Sequence, residues 1–283
     1  MRQIRILARM TFREAIRRRI VLTGLILGIL FLIIFSVGFH LILVDMNEFA
    51  TEGGDTIGNI AKNEASNVLL LAGLYAVAFL CAAMGALLSA DTLAGEIHSG
   101  SIQTIITKPL RRSDVVFGKW LGFASLLGLY FLLMSGGAVL SVFLQAGYLP
   151  DNLLAGMTLI YLEALLVMTI SLAGSSAMPA LATGGMVFGL YGLAFLGGWI
   201  EQIGALLGNT TAVQIGIITS LISPTEALWR RAAFEMQSPL SGMMGMTPFS
   251  AISVPSALMI VYAIFYLAVT LIIAVNTFRH RDI

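Results

Sequence analysis

Charge is missing from long stretches of this chain, and those stretches have the length of membrane crossings. Residues 20–44, 65–90 and 120–150 carry no Asp, Glu, Lys or Arg, and each exceeds the roughly 20 residues a helix needs to cross about 30 Å of hydrocarbon. Residues 152–200 hold one charge, Glu163, and are too long for a single crossing. The segment SSAMP, Ser175 to Pro179, divides them, because proline removes an amide donor and disfavours the helical conformation in the residue before it. A last apolar run, 255–278, ends at Phe278-Arg279-His280-Arg281. The pattern predicts an all-α polytopic membrane protein with six spans, at 20–44, 67–90, 120–147, 153–175, 180–200 and 255–278.

Residues 202–225 also lack charge, but they contain Asn209, Thr210, Thr211, Gln214, Thr219, Ser220 and Ser223, more polar groups than a lipid-facing span tolerates. The expectation for 201–254 is therefore an outer segment, partly re-entrant and partly interfacial, and not a seventh span. Within it, SPTEALWRRAAFEM reads as a short interfacial helix. Ser223 as N-cap, Pro224 at the first helical position and Glu226 at the third would form a capping box. Glu226 with Arg230, and Arg231 with Glu235, have i,i+4 spacing, while Leu228, Trp229, Ala232, Ala233 and Met236 supply an apolar side.

Composition agrees with the pattern. With 58% hydrophobic and 11% charged residues and a mean hydropathy of +0.93, the chain is too apolar for a soluble domain of its length. A lone cysteine, Cys81, and three scattered histidines, His40, His98 and His280, leave no material for a disulfide framework or a zinc motif. Met243, Met244 and Met246 lie close together. Thioethers favour Cu(I), but no Cys or His joins them and methionine is also an adaptable apolar filler, so no metal is expected.

Thirteen of the sixteen Lys and Arg residues fall in 1–19, 94–119 and the C-terminal tail. By the positive-inside rule these segments are cytoplasmic, which puts both termini inside. The loop DMNEFATEGGDTIGNIAKNE, with five acids and one lysine, then lies outside. In 1–19, Arg2, Arg5, Arg9 and Arg13 form one helical stripe, and Ile4, Leu7, Ala8, Thr11 and Ala15 lie opposite. Glu14 and Arg18 are spaced as an i,i+4 pair. The reading is an amphipathic elbow helix on the inner membrane surface, imperfect because Ile6 and Ile16 fall in the basic sector.

Between spans two and three the chain reads AGEIHSGSIQTIITKPLRRSDVVFGK, residues 94–119. Span two is expected to run past the membrane to His98, with Gly100 suited to ending it. Ser99 or Ser101 can cap a short helix that carries Ile102, Ile105 and Ile106 at amphipathic spacing until Pro109 stops it. Ser113 and Asp114 suit the next helix start, with Lys119 at the interface. A hydrophobic crosswise helix flanked by Glu96, Lys108, Arg111 and Arg112 rests poorly in water and is best explained as a docking element.

Gly95-Glu96, Ser99-Gly100-Ser101, Lys108-Pro109-Leu110, Arg111 or Arg112, and Gly118-Lys119 together resemble the signature between the second and third spans of type 2 ABC exporter permeases. The basic elbow, the six spans and the ending with Phe278, Arg279, Arg281 and Asp282, His280 being inserted, are similar as well. The resemblance therefore runs the length of the chain, as a single permease domain over 1–283. It implies that 91–119 contains a cytoplasmic coupling helix seated in a groove of a separate ABC ATPase subunit. Glu96, Gly100, Ile102, Ile105, Ile106, Pro109, Arg111, Arg112 and Lys119 would serve that contact. ATP and magnesium would be bound by the partner. This chain has no G-x-x-x-x-G-K-[ST], since Gly118-Lys119 is followed by Trp120 and lacks the earlier glycine.

The resemblance also implies a multi-pass protein of the bacterial or archaeal inner membrane that pairs with a second copy or a paralogue. Nucleic acid is not among the expected partners, and the lipid bilayer is. The Gly24-x-x-x-Gly28 and Gly185-x-x-x-Gly189 spacings allow close backbone approach. In the resembling family their spans meet across a dimer interface; packing within one chain explains the same spacing. Glu163, a carboxylate within span four, is expensive in hydrocarbon and is by default a candidate for the cargo path. No nucleophile, base and orienter occur together, so enzymatic chemistry is not expected. The alternative to an exporter subunit is a membrane anchor or force-transmitting protein that relays an ATPase cycle without moving cargo.

Overall fold

The computed structural model describes residues 2–53, 55–98, 111–240 and 253–280, and every regular element among them is a helix. In chain order these are α1 (Arg2–Ile16), α2 (Arg19–Gly53), α3 (Asp55–Ala90), α4 (Thr92–His98), α5 (Arg112–Ala146), α6 (Leu153–Ala177), α7 (Ala180–Leu206), α8 (Thr210–Ile222), α9 (Thr225–Met236) and α10 (Leu258–His280). Six of them, α2, α3, α5, α6, α7 and α10, are long and apolar enough to cross a bilayer. The all-α, six-span architecture expected from the charge pattern is thus the one observed.

Burial ranks the spans. In α3 and α6, 56% of the most apolar window is buried and in α5 50%, against 11% in α2, 22% in α7 and 17% in α10, so α3, α6 and α5 form the centre, with α3 and α6 the most enclosed, and α2, α7 and α10 flank them. That most enclosed pair packs closely because small residues line the seam. A Cβ on Gly85 of α3 would lie 3.1 Å from Met168 Cβ and 3.2 Å from the Ala164 carbonyl of α6, a tight fit. Ser89 Oγ donates to Met168 O at 3.1 Å and Ser171 Oγ to Ala86 O at 2.7 Å, so each helix satisfies its hydroxyls on the other's backbone. The SSAMP break falls as expected: α6 ends at Ala177, Met178 is extended, and Pro179 precedes α7.

α1 lies along the first turns of α5. A Cβ at Gly118 would meet Leu7, and one at Gly122 would meet Thr11. Ala15 and Thr11 are buried, whereas Arg5, Arg9, Arg13, Ile6 and Ile16 are exposed. The buried face is therefore the apolar stripe read from the sequence, and the Glu14–Arg18 pair closes at 2.8 Å. Beyond α7 the chain reverses at Gly208, whose φ of 67° lies in the left-handed region that glycine favours. Asn209 then caps α8 by accepting from Ala212 N at 3.2 Å. α8 folds back antiparallel on α7, with Gly197 facing Thr219, Gly204 facing Ala212 and Gly216 facing Glu201. Its 13 residues cover about 20 Å, too little to cross the hydrocarbon.

α9 then runs back beside α3 and α6. Its first turn is level with Tyr75 of α3, and its last carbonyl, Met236 O, accepts from Asn67 Nδ2 at 2.9 Å. The same amide donates to Tyr148 Oη at 2.8 Å, while Asn67 Oδ1 accepts from Ser238 N at 3.1 Å. One fully buried asparagine thereby satisfies an orphan carbonyl at the helix end and fixes the chain beyond it.

Candidate functional site

Two regions of the bundle bear on function. The first is the end of the bundle from which residues 99–110 depart. Leu93 of α4, Val115 and Val116 of α5, Leu172 of α6, and Leu271, Ala274, Val275 and Phe278 of α10 form a separate buried cluster, with Leu7 of α1 packed against it. Arg112, at the start of α5, donates to Arg279 O at 3.1 Å and ties α5 to the end of α10. Five helices are locked together on either side of the segment that the sequence marks for docking. Glu96 belongs to α4, and Arg111 is exposed immediately before α5. Lys119, expected at an interface, is 5% exposed and enclosed by the packing. Gly100, Ile102, Ile105, Ile106 and Pro109 lie outside the described residues, as do Met243, Met244 and Met246.

The second region is a buried acid and aromatic cluster where α9 meets α3, α6 and α7. Glu163 of α6 is 1% exposed; its Oε1 accepts from Tyr191 Oη at 3.3 Å, and its Oε2 has no hydrogen-bond partner among the described residues. Glu226 of α9 is likewise buried, with Tyr75 Oη at 3.4 Å from both carboxylate oxygens. Tyr75 lies tilted against Trp229 at 4.8 Å and stacks on Phe195 at 6.5 Å, and Tyr191 packs tilted on Phe79 at 6.0 Å. Burial drives the Glu226 carboxyl up to about 7; Arg230 one turn on and the Tyr75 hydroxyl both pull it down and only partly offset this. Two carboxyl groups walled by aromatic rings form a polar interior suited to cations or to hydrogen-bond donors.

Beside this cluster lies a full ion pair that sequence reasoning missed. Arg230 of α9 meets Glu201, at the end of α7, with Nη1 to Oε1 at 2.6 Å and Nη2 to Oε2 at 2.9 Å. Ser220 of α8 accepts from Nη2 at 3.2 Å, and Ser253 Oγ donates to Glu201 Oε1 at 2.6 Å. Arg230 and Glu201 are 1% and 4% exposed. The i,i+4 spacing of Glu226 and Arg230 pointed to a surface pair, but Arg230 turns to a carboxylate 29 residues earlier. The capping box does not form either. α9 starts at Thr225 after Pro224, without a side-chain cap, and the Ser223 hydroxyl lies 3.3 Å from that of Thr225. With Glu226 drawn to Tyr75 it cannot reach back to the Ser223 amide. The expected interfacial helix with one apolar side is instead enclosed on nearly all sides. Of its two expected pairs, only Arg231–Glu235 forms, at 2.6 Å.

The four glycines marked for close packing divide. Gly24 faces Met84, and Gly28 faces Met134 and Tyr130, whose hydroxyl donates to Gly24 O at 3.2 Å; this side of α2 is therefore occupied by its own chain. Gly185 and Gly189 of α7 face open space. Among the described residues, no group of three or more His, Cys, Asp or Glu side chains could hold a metal ion.

A family model described as ABC-2 family transporter protein matches residues 5–283. No curated protein matches the chain.

Proposed function

Because this chain belongs to the ABC-2 family of transporter proteins, we propose that it is the membrane-spanning permease subunit of an ATP-driven exporter, powered by a separate ATPase subunit. The observation that carries this reading is a family match over nearly the whole chain. The buried cluster around Leu93 and Phe278 supports it with a route for force. A push on residues 99–110 would enter through α4 and α5 and be shared at once with α1, α6 and α10. In this reading both termini and the 91–119 segment face the cytoplasm, and ATP and magnesium belong to the partner. Ile102, Ile105 and Ile106 fill the partner's groove, and Glu96, Arg111 and Arg112 frame it. A second permease copy or paralogue completes the transporter, for which the open Gly185 and Gly189 side of α7 is available.

The test is to purify the chain with its ATPase and measure assembly, hydrolysis and transport together. Ile105→Asp and Glu96→Ala are expected to insert normally but either to lose the ATPase on purification or to leave hydrolysis uncoupled from transport. A stable assembly with normal hydrolysis and transport in both variants overturns the coupling role.

Glu163, with one carboxylate oxygen unpartnered inside the bundle, is proposed to line the cargo path. Replacing it by glutamine keeps the shape and removes the charge. Glu163→Gln should change cargo flux in reconstituted vesicles while ATPase retention stays at the wild-type level. Unchanged flux for every cargo tested removes Glu163 from the path.

A further inference from the structure

A cavity of about 400 Å³ lies between α8, α9 and the start of α10. Its polar wall is Glu201, Ser220, Arg230 and Ser253, the ion pair with its two serines. The rest of the lining is apolar apart from Ser256 and Tyr262, whose hydroxyl donates to Leu221 O, and it includes Leu221 and Leu258, which are 49% and 76% exposed. The mouth therefore opens sideways beside the first turn of a membrane span, where the surroundings are hydrocarbon. An occupant would arrive from the bilayer with its polar part pointing inward.

Charge decides what that polar part is. Among the described residues Arg230 is the one cation in the wall, and both its Nη atoms are already held by Glu201. An additional net charge would be buried without a counter-charge, which costs several kcal/mol. The guanidinium nevertheless keeps one unused donor. Arg230 Nε is buried and has no hydrogen-bond partner among the described residues, a state that folded proteins rarely leave uncompensated. That atom is closed off from the cavity, so the polar wall presents a compensated ion pair with its serines, which a neutral or zwitterionic group can face without stranding a charge. The volume is at the low end for small-molecule sites, which run from about 300 to 1,000 Å³. It therefore holds a headgroup and the start of a tail, while the rest of the tail stays in the bilayer.

We propose that this cavity is a binding site for a membrane amphiphile with a neutral or zwitterionic headgroup, whose polar part faces the Arg230–Glu201 pair and its serines and whose tail leaves past Leu221 and Leu258. The site lies apart from residues 91–119 and does not depend on the ATP-coupling reading.

The test uses the full chain, delipidated and then titrated with zwitterionic phosphatidylethanolamine or with anionic phosphatidylglycerol, each followed by native mass spectrometry. The wild type is expected to retain the zwitterionic lipid with a preference on the order of tenfold over the anionic one. Met259→Trp, which fills the cavity, and Leu258→Trp, which blocks its exposed mouth, should abolish that preference. Val261→Trp, on the exposed side of the same helix, should leave it intact. Leu258→Trp adds bulk at a largely exposed position and keeps the test valid if Met259→Trp does not fold. Equal retention of both lipids, preference for the anionic one, or a preference unaffected by either cavity variant overturns the proposal.

Discussion

Replacing Arg230 by methionine is expected to cost about 3 to 5 kcal/mol of stability, because it strands Glu201 in the interior. That carboxylate is 4% exposed and would keep only Ser253 as a donor. Glu201→Met should cost a similar amount, by leaving a guanidinium that is 1% exposed beside Ser220 with its countercharge gone. The double replacement removes both charges together, and two flexible thioethers can fill the space left. It should recover most of either loss, as buried ion pairs exchanged whole for apolar residues often do. Thermal unfolding of the four proteins in one detergent gives the cycle directly. Additive losses in the double variant would mean that the two residues act independently and that the ion pair is not the source of the effect. Arg231, the next residue of the same helix, serves as a control. Its bond to Glu235 joins side chains that are each 21% exposed, and Arg231→Met should cost no more than about 1 kcal/mol.

The contrast between these neighbouring arginines shows where sequence reasoning reached and where it stopped. The spans were legible because hydrocarbon thickness imposes a length and excludes charge, and both leave their mark on the chain in order. The face of α1 was legible for a similar reason. Helical periodicity alone places Leu7, Thr11 and Ala15 together, and those residues do pack on α5. The environment of α9 was not legible. Its spacings fit a surface helix with two ion pairs, and the information that enclosed it lies elsewhere: in Asn67 of α3, which ends it, and in Gly198 of α7, which leaves room for the Glu226 side chain. Glu201 offered a signal, since an acid directly after a span of glycines and apolar residues needs a partner. That partner was one of two arginines in the following segment. Local i,i+4 bookkeeping had already assigned both, and a long-range pair cannot be chosen by spacing.

Burial of α9 also makes pH a variable. Glu226 lies outside the six spans, on the first turn of α9, facing Tyr75 of α3, Gly198 of α7 and the carboxyl group of Glu163 on α6, with Arg230 one turn on. Its carboxyl is pushed from the ordinary value of 4.5 up to about 7, chiefly by burial. Between those values the folded protein holds a proton that the unfolded chain has released, so folding is favoured by acid in this window. The stabilisation is complete below about pH 4.5 and is lost as pH rises through about 7, a total of roughly 3 kcal/mol at about 1.4 kcal/mol per unit. Glu226→Gln keeps a neutral hydrogen-bonding group opposite Tyr75 and removes the titration. Unfolding temperature measured from pH 5 to pH 8 should therefore fall across neutrality in the wild type and change much less in Glu226→Gln, which should be the more stable protein at pH 8. Hydrogen exchange separates this local cause from general alkaline weakening. Amides of 225–236 should open faster above pH 7 in the wild type, while those of α3 and α6 hold, because ionisation adds a buried negative charge beside Glu163 only where α9 is seated. An identical pH slope in both proteins, or opening spread evenly over the bundle, would show that Glu226 does not control the seating of this helix.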